Sequence, residues 1–253
     1  RNDSWVPPLL LTNYDGSDPS LRFVDVNNDG RVDILKGNFS GPDSYTRLAY
    51  INNGSGWVLN SSWAPPEAFT WTNTPFVQDF GVKIGDLNGD GLPDLLKRGG
   101  KDLDTNQCNN ESVWLNNGSG WVNVSGTNSS WLPPSCFSYI EYPTPYQPKT
   151  VDYGLELVDV NGDGKDDIIG GMDDWQYNCI SSDRHAWINN GSGWVNSPEW
   201  IPPVCFTHRF AQGHGGGSTD WGARVLDFNG DGLPDLLVGR DTLSGNISGA
   251  WLN

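Results

Sequence analysis

One nine-residue pattern, Asp-x-Asn-x-Asp-Gly-x-x-Asp, occurs four times in this chain of 253 residues and constrains its fold more than any other feature. The copies begin at Asp25, Asp86, Asp159 and Asp227, so that successive copies are 61, 73 and 68 residues apart. Self-similarity at such a spacing is typical of proteins built from tandem structural repeats.

Two other markers recur in a fixed order with this pattern. A Trp-x-Pro-Pro segment begins at Trp5, Trp63, Trp131 and Trp200, and a triplet of aromatic, aliphatic and Asn residues ends at Asn52, Asn116, Asn189 and Asn253. We therefore interpret residues 1–253 as one domain of four repeats, at approximately residues 5–62, 63–130, 131–199 and 200–253.

Each repeat has the residue pattern of a four-stranded antiparallel meander. A short apolar run such as Leu21 to Val26 leads into the Asp pattern, a second run such as Asp33 to Lys36 follows it, and the Asn-ending triplet comes next. In the first three repeats an Asn-Gly pair follows, at Asn53, Asn117 and Asn190, which predicts tight hairpin turns with positive φ at both residues. Tandem four-stranded units without helical periodicity predict an all-β fold, a β-propeller of four repeats.

The Asp pattern also resembles a known repeat family. Together with the aromatic-Gly pair just upstream of it (Phe80-Gly81, Tyr153-Gly154 and Trp221-Gly222), it is similar to the FG-GAP or VCBS repeat of integrin α-subunit propellers. The first repeat departs from that pattern, because Pro19-Ser20 stands in place of the aromatic-Gly pair. Integrin-like propellers usually have seven blades, so the four repeats are either a complete ring or part of something larger.

The four Asp-rich segments are predicted calcium-binding loops. Calcium takes six to eight hard oxygen ligands, and side-chain oxygens at alternate positions of a loop can surround one ion. Position seven would contribute its backbone carbonyl. The predicted ligands are Asp25, Asn27, Asp29, Arg31 and Asp33; Asp86, Asn88, Asp90, Leu92 and Asp94; Asp159, Asn161, Asp163, Lys165 and Asp167; and Asp227, Asn229, Asp231, Leu233 and Asp235.

Turn formation is the simpler explanation for Asp, Asn and Gly in a loop. Against it, all four loops carry carboxylates at positions one, five and nine, which repel one another unless a cation neutralises them. An EF-hand is excluded because its twelfth position requires Glu, and here that position holds Lys36, Lys97, Gly170 and Val238. We therefore expect four structural Ca²⁺ ions.

The four cysteines permit three disulfide pairings. Cys108 and Cys179 both precede the aromatic-aliphatic-Asn triplet, whereas Cys136 and Cys205 both lie five residues after the Trp of Trp-x-Pro-Pro. Only the pairs Cys108 with Cys136 and Cys179 with Cys205 are copies of each other, with separations of 28 and 26 residues. Free buried thiols are the alternative.

Ten Asn-x-Ser/Thr sites are more than the composition predicts by chance. They lie at Asn2, Asn38, Asn53, Asn60, Asn110, Asn117, Asn123, Asn128, Asn190 and Asn246. Such sites are N-glycosylation acceptors, and disulfides form in oxidising compartments. Together they predict a secreted, extracellular glycoprotein.

Charge and motif content argue against several function classes. The formal net charge of −16 opposes nucleic-acid binding, and no apolar run reaches the length of a membrane span. His185, His208 and His214 have no metal-ligand spacing, and no Ser or Cys stands in a nucleophile-elbow context. We therefore expect that the chain is not an enzyme.

These observations favour a structural or interaction module of an extracellular assembly, whose partners are other copies of itself or extracellular protein or glycan. Repeat four lacks the outer strand found in the other repeats, so the edge from Gly245 to Asn253 is a predicted subunit contact. The alternative, to which we give equal weight, is that further residues follow Asn253 and complete the blade. A lectin or cell-adhesion module is the second possibility. Its ligand-binding candidates are Trp71 and Trp175, because the other 11 of the 13 Trp residues occupy repeated positions.

Overall fold

The computed structural model describes residues 3–13, 18–41, 44–73, 76–101, 108–126, 129–141, 149–173, 179–180, 184–211, 216–242 and 245–253. These residues form an all-β fold, in which four sheets are arranged as the blades of a β-propeller. The predicted fold class is therefore confirmed.

Each blade is an antiparallel sheet in which consecutive strands are neighbours, and blades one to three have four strands. The blade strands are β1 (Leu21–Val24), β2 (Asp33–Phe39), β3 (Tyr45–Asn52) and β4 (Trp57–Leu59); β7 (Val82–Gly85), β8 (Asp94–Lys101), β9 (Cys108–Asn116) and β10 (Trp121–Asn123); β13 (Leu155–Val158), β14 (Asp167–Asp173), β15 (Arg184–Asn189) and β16 (Trp194–Asn196); and β19 (Ala223–Leu226), β20 (Asp235–Thr242) and β21 (Gly245–Trp251).

A hairpin between successive blades is a feature that the sequence pattern did not predict. The hairpins are β5 (Thr70–Asn73) with β6 (Phe76–Asp79), β11 (Ser138–Glu141) with β12 (Lys149–Asp152), and β17 (Thr207–Arg209) with β18 (Ser218–Asp220). The strands β5 and β17 pair in parallel with the ends of β2 and β14. Short 3-10 turns at Asp3–Trp5, Ser61–Trp63, Ser129–Trp131 and Pro198–Trp200 contain the Trp of each Trp-x-Pro-Pro segment.

The second strand of each blade is apolar on both faces because it lies between two neighbouring layers. Successive side chains of a strand point to opposite faces. Even so, Ile34 and Leu35 of β2 are both buried, as are Ile168 and Ile169 of β14. Runs of consecutive apolar residues are typical of strands that are covered on both faces.

Three hydrophobic clusters join successive blades. The first contains Val26 of blade one and Leu95 of blade two, the second contains Leu96 of blade two and Ile168 of blade three, and the third joins blades three and four. The repeated Trp residues also join neighbouring layers: Trp121 Nε1 and Trp194 Nε1 donate to the backbone oxygens of Trp63 and Trp131, at 3.4 and 3.0 Å.

In blades one to three, one face is covered by the next blade. The corresponding face of blade four is exposed at a position that is buried in the other blades. Phe228 is 41% exposed, whereas its equivalents Val26, Leu87 and Val160 are between 0 and 4% exposed. Leu226, on the same face, is also exposed. We call Leu226 and Phe228 the blade-four face. In the other three blades the next blade covers the equivalent surface.

Blade one keeps the backbone geometry of the other blades although it lacks the aromatic-Gly pair. Ser20 has φ +67°, close to the values of +67° and +66° at Gly81 and Gly154. The Ser20 N–H donates to Asp18 Oδ1 at 2.7 Å, as the Gly154 N–H donates to Asp152 Oδ1. A buried hydrogen bond between Ser20 Oγ and Thr70 Oγ1 accompanies this left-handed conformation, which is costly for a residue with a Cβ.

The predicted geometry of the Asn-Gly turns is wrong in one respect. Gly54 has φ +83°, but among the described non-glycine residues positive φ values occur at Ser20 and Asn28 and not at Asn53. The loop has four residues, because β3 ends at Asn52 and β4 begins at Trp57. Side chains stabilise it: Asn52 Oδ1 accepts the Gly54 N–H, and Asn53 Oδ1 accepts the Ser55 N–H. These Asx-type hydrogen bonds replace the expected two-residue turn.

Candidate metal centres

The four Asp-rich loops occupy the same place in each blade, between the first and second strands. We number them loop one (25–33), loop two (86–94), loop three (159–167) and loop four (227–235). In loop one, Asp25 follows the end of β1 and Asp33 begins β2. Each loop therefore starts and ends on paired strands, which fixes its two ends relative to each other.

The Asp at position one folds each loop around its own carboxylate. In loop two, Asp86 Oδ1 accepts the N–H groups of Gly89 and Asp90 at 2.7 and 3.2 Å, and Asp86 Oδ2 accepts that of Gly91 at 2.7 Å. The hydrogen bond from the position-six Gly recurs in loops one, three and four at 2.7, 2.8 and 2.9 Å. That Gly has φ between +82° and +91° in all four loops, a conformation that favours glycine.

The side chains at positions three and five also accept hydrogen bonds from backbone N–H groups of the same loop. In loop two, Asn88 Oδ1 accepts the Asp90 N–H at 2.9 Å, and Asp90 Oδ1 accepts the Leu92 N–H at 2.9 Å. Equivalent pairs of hydrogen bonds occur in the other loops. The predicted oxygen donors are thus gathered in one short loop in every blade.

The Asp at position nine is buried in all four blades, with an exposed fraction of at most 1%. Asp94 Oδ2 accepts the Leu87 N–H at 2.9 Å, and Asp94 Oδ1 accepts the Asn116 N–H at 2.8 Å. Asp33, Asp167 and Asp235 make the same two bonds. This carboxylate therefore joins its own loop to the third strand of its blade, or to Asn253 after that strand in blade four.

Burial, together with the nearby carboxylates of Asp90 and Asp86, raises the pKa of Asp94 to about 7, although the two backbone hydrogen bonds lower it. The pKa of Asp167 is raised to about 7 by the same causes, and that of Asp33 is raised in the same direction. Each of these three loops is therefore a place where negative charge is crowded and poorly solvated, which a bound cation would relieve.

Loops one and three differ from loops two and four at position seven. The Arg31 guanidinium lies 2.6 Å from Asp29 Oδ2, and the Lys165 ammonium lies 3.1 Å from Asp163 Oδ1. Loops two and four have Leu92 and Leu233 there. An ion in loop one or three would therefore compete with a cationic side chain for the position-five carboxylate.

The donor chemistry of the loops fits calcium. Each loop offers three carboxylates, one amide oxygen and one backbone carbonyl, all hard oxygens. Within the described part of the chain, no three His, Cys, Asp or Glu side chains are already grouped as metal ligands, because the loop carboxylates face backbone N–H groups. Binding an ion would require some of these side chains to rotate toward it.

Asp94→Ala is expected to destabilise the folded chain by about 2–6 kcal/mol, in calcium or in chelator. The substitution leaves the N–H groups of Leu87 and Asn116 buried without an acceptor, at about 1–3 kcal/mol each. Urea unfolding measures the change. Asp94→Asn, which keeps an acceptor oxygen, is the matched control and should lose less. Equal stability of the Ala variant and the wild type would contradict the role of Asp94 as a tie between strands.

Both predicted disulfides are present. Cys108 is bonded to Cys136 and Cys179 to Cys205, with Cα atoms 5.7 and 5.8 Å apart. Cys136 and Cys205 are buried, each next to a buried Phe that packs between blades. The pairing predicted from repeat equivalence is confirmed.

Most of the predicted glycosylation sites are accessible. Six are exposed: Asn53, Asn110, Asn117, Asn123, Asn190 and Asn246. Asn38 and Asn60 are partly buried; Asn38 accepts a hydrogen bond from Thr72, and Asn60 caps the turn at Ser61–Trp63. Asn2 and Asn128 lie outside the described residues.

The remaining candidate residues have different surroundings. Trp71 lies on β5, partly buried, with its ring centroid 6.2 Å from that of Phe39. Trp175 and His214 lie outside the described residues. His185 stacks on Trp187, and His208 Nδ1 lies 2.6 Å from Asp173 Oδ1 in a buried pair.

Sequence reasoning missed the residues that link one loop to the next. Asn116, Asn189 and Asn253 each donate from Nδ2 to the position-two carbonyl of the preceding blade, at 2.8, 2.7 and 2.6 Å. The signal was present in the sequence, because each is the Asn of the repeated triplet, but a marker of the repeat does not by itself indicate a contact between repeats.

Comparison with known proteins identifies the repeat. The family model described as FG-GAP-like repeat matches residues 25–97 and 159–238, which together are more than half of the chain. No protein of known, curated function matches the sequence. None of the described helices is long and apolar enough to span a membrane.

The solved structures that are similar to the chain include the following two. One is a lectin of Agrocybe aegerita, described by its specific recognition of non-reducing terminal N-acetylglucosamine, with 17% identity and a TM-score of 0.45 over 92% of this chain and 50% of the lectin. The other is the Tc holotoxin pore of Photorhabdus luminescens, with 16% identity and a TM-score of 0.37 over 98% of this chain and 12% of the toxin. The chain thus spans half or less of either protein.

The repeated loops, the blade architecture and the match over both halves of the sequence lead to one conclusion: the chain belongs to the FG-GAP-like repeat family.

Proposed function

We propose that this chain is a secreted, calcium-stabilised and N-glycosylated β-propeller module without catalytic activity, which joins further copies of itself in an extracellular assembly. The observation that carries the assembly role is the exposed blade-four face, at a position that the next blade buries in blades one to three.

The contacts between blades indicate what this face would accept. In each of the three internal contacts, the next blade supplies an Asn whose Nδ2 donates to the position-two carbonyl. Blade one has the equivalent Asn52, which donates to Val32 O of its own blade at 3.2 Å. Blade one of a second copy could therefore present Asn52 to the carbonyl of Phe228.

The strand β21 adds a second surface at the same end of the chain. It pairs with β20, and most of its described residues are exposed. These exposed side chains would contact another copy. Because such a contact joins two different surfaces of the same protein, it would be head-to-tail and would give rings or filaments.

The proposed compartment and modifications have separate support. The two disulfides are consistent with an oxidising environment, and six of the glycosylation sites are exposed. The calcium role is supported by the oxygen donors and crowded carboxylates of the four loops. Without ions the chain has a formal charge of −16, which opposes self-association at low ionic strength.

The 253-residue chain is expected to self-associate in calcium as its concentration is raised, measured by sedimentation velocity. Phe228→Lys should shift it to monomer, because it places a charge in the apolar contact. Val122→Lys is the matched control, since Val122 is an exposed apolar residue on the outer strand of an internal blade. A wild-type chain that stays monomeric, or equal association of both variants, would refute the assembly role.

A further inference from the structure

Loops two and three are hydrogen-bonded to each other directly. The Asp166 N–H donates to Asp86 O at 2.7 Å, and the Asp86 N–H donates to Asp166 Oδ2 at 2.9 Å. Asp86 is position one of loop two, and Asp166 is position eight of loop three. Loops one, two and four have Val32, Pro93 and Pro234 at position eight, so the carboxylate is peculiar to loop three.

Asn189 forms a second link between the same two loops. Its backbone N–H donates to Asp167 Oδ1, the position-nine carboxylate of loop three, at 2.7 Å. Its side-chain Nδ2 donates to Leu87 O of loop two at 2.7 Å. Asn189, Asp167 and Leu87 are all buried, so these bonds do not compete with solvent.

The chain leaves space for this contact at Gly85. A Cβ atom at that position would lie 2.2 Å from Asp166 Oδ2, so any side chain there would displace that carboxylate. The equivalent positions in the other blades are Val24, Val158 and Leu226. The small residue thus occurs in the one blade whose neighbour carries the bridging carboxylate.

We propose that loops two and three bind calcium as a coupled pair, with Asp166 and Asn189 transmitting the coupling. This inference rests on the proposed calcium function. Asp166 lies between Lys165 and Asp167, two predicted ligands of loop three. An ion bound in loop three would therefore restrain Asp166, which is hydrogen-bonded to the N–H and the carbonyl of Asp86. Asp86 is the first predicted ligand of loop two.

The coupling acts through the ordering of the loops. When one loop is already fixed by its ion, the other loses less conformational freedom on binding. Thermodynamic linkage requires the effect to be reciprocal, so an ion in loop two favours binding in loop three by the same factor. Loops three and four are linked through the Asn253 side chain at 2.6 Å, but loop four has Pro234 in place of the bridging Asp.

Amide NMR of the complete chain can follow each loop separately. The N–H groups of Gly91 and Gly164 donate to the position-one Asp of their own loops at 2.7 and 2.8 Å, so they report loops two and three. Asp163→Ala removes a predicted ligand of loop three at an exposed position. In a calcium titration, this variant should raise the concentration that half-saturates the Gly91 signal by about 5-fold or more.

Three variants separate coupling from other effects. Asp231→Ala, the matched exposed substitution in loop four, should leave the Gly91 midpoint unchanged. In an Asp166→Ala background, the effect of Asp163→Ala on Gly91 should be much smaller, because only the link through Asn189 remains. Asp90→Ala in loop two should raise the Gly164 midpoint by the same factor, which tests the proposal even where Asp163→Ala does not fold.

The outcomes distinguish the two proposals. If Gly91 and Gly164 respond to calcium but neither midpoint moves when the other loop is disabled, calcium binding stands and the coupling is overturned. An Asp231→Ala effect equal to that of Asp163→Ala would also overturn the pairing of loops two and three. If neither amide responds to calcium, the calcium function itself fails, and the coupling fails with it.

Discussion

Removal of calcium is expected to lower the melting temperature of this chain by about 10 °C or more. A ligand that binds only the folded state stabilises it by mass action. At a free concentration about tenfold above the dissociation constant, each loop would contribute about 1.4 kcal/mol, and four loops about 6 kcal/mol. For a chain of this size, each kcal/mol corresponds to a shift of about 2–4 °C.

Calorimetry in calcium and in excess chelator measures this shift. Asp90→Ala should remove part of it, because Asp90 is an exposed ligand candidate whose side chain does not support the core. Asp241→Asn is the control for loss of one exposed carboxylate outside the loops. An identical melting curve after complete removal of calcium would contradict a structural role for the ion.

The blade architecture could be predicted because it depends on short-range patterns repeated four times. The apolar runs that become β2, β8, β14 and β20 are read directly from the sequence. Equivalence between repeats also selected the pairs of cysteines, since only one pairing gives two bonds that are copies of each other, with separations of 28 and 26 residues. Repetition thus supplied information that a single copy of the unit does not contain.

Contacts between blades could not be predicted in the same way. The bridge from Asp166 to Asp86 joins residues 80 positions apart, and only the packing of two blades brings them together. The position-nine carboxylates were predicted as calcium ligands, but their burial and their hydrogen bonds to strand N–H groups depend on the third strand of the blade. Both features follow from tertiary structure.

Sequence differences between the repeats also made part of the fold impossible to predict. Ser20 takes the left-handed conformation of the missing Gly, with support from Asp18 and Thr70, and neither partner belongs to the repeat signature. The hairpins such as β5 with β6 vary in sequence from repeat to repeat, so no shared pattern marked them as strands. Sequence repetition indicates only those elements whose residues themselves repeat.

Replacing both disulfides is expected to have a comparable effect on stability. The bonds close segments of 28 and 26 residues, for which the loss of unfolded-state entropy corresponds to about 3.5 kcal/mol each. The bridges lie in different blades, so their contributions should add to about 7 kcal/mol. That is a large part of the total stability of a typical domain, which is about 5–15 kcal/mol.

Blade one shows that the fold itself does not require a bridge at this position. Its residues equivalent to Cys108 and Cys136 are Ser44 and Ala68, and Phe69 is still fully buried next to Ala68. The variants Cys108→Ala with Cys136→Ala, and Cys179→Ala with Cys205→Ala, should therefore fold and unfold at lower denaturant concentration. Ser44→Ala is the matched control and should have little effect.

Denaturant unfolding of the two double variants and of the fourfold variant tests this expectation, with calcium present throughout so that the loops do not contribute to the difference. Unchanged midpoints would show that the bridges only join segments that are already held by packing around Phe137 and Phe206. A fourfold variant that remains as stable as the wild type would also remove the argument that the chain depends on an oxidising compartment. The expected result, a marginal fourfold variant, follows because each bridge restricts the unfolded chain while its folded neighbours stay in place.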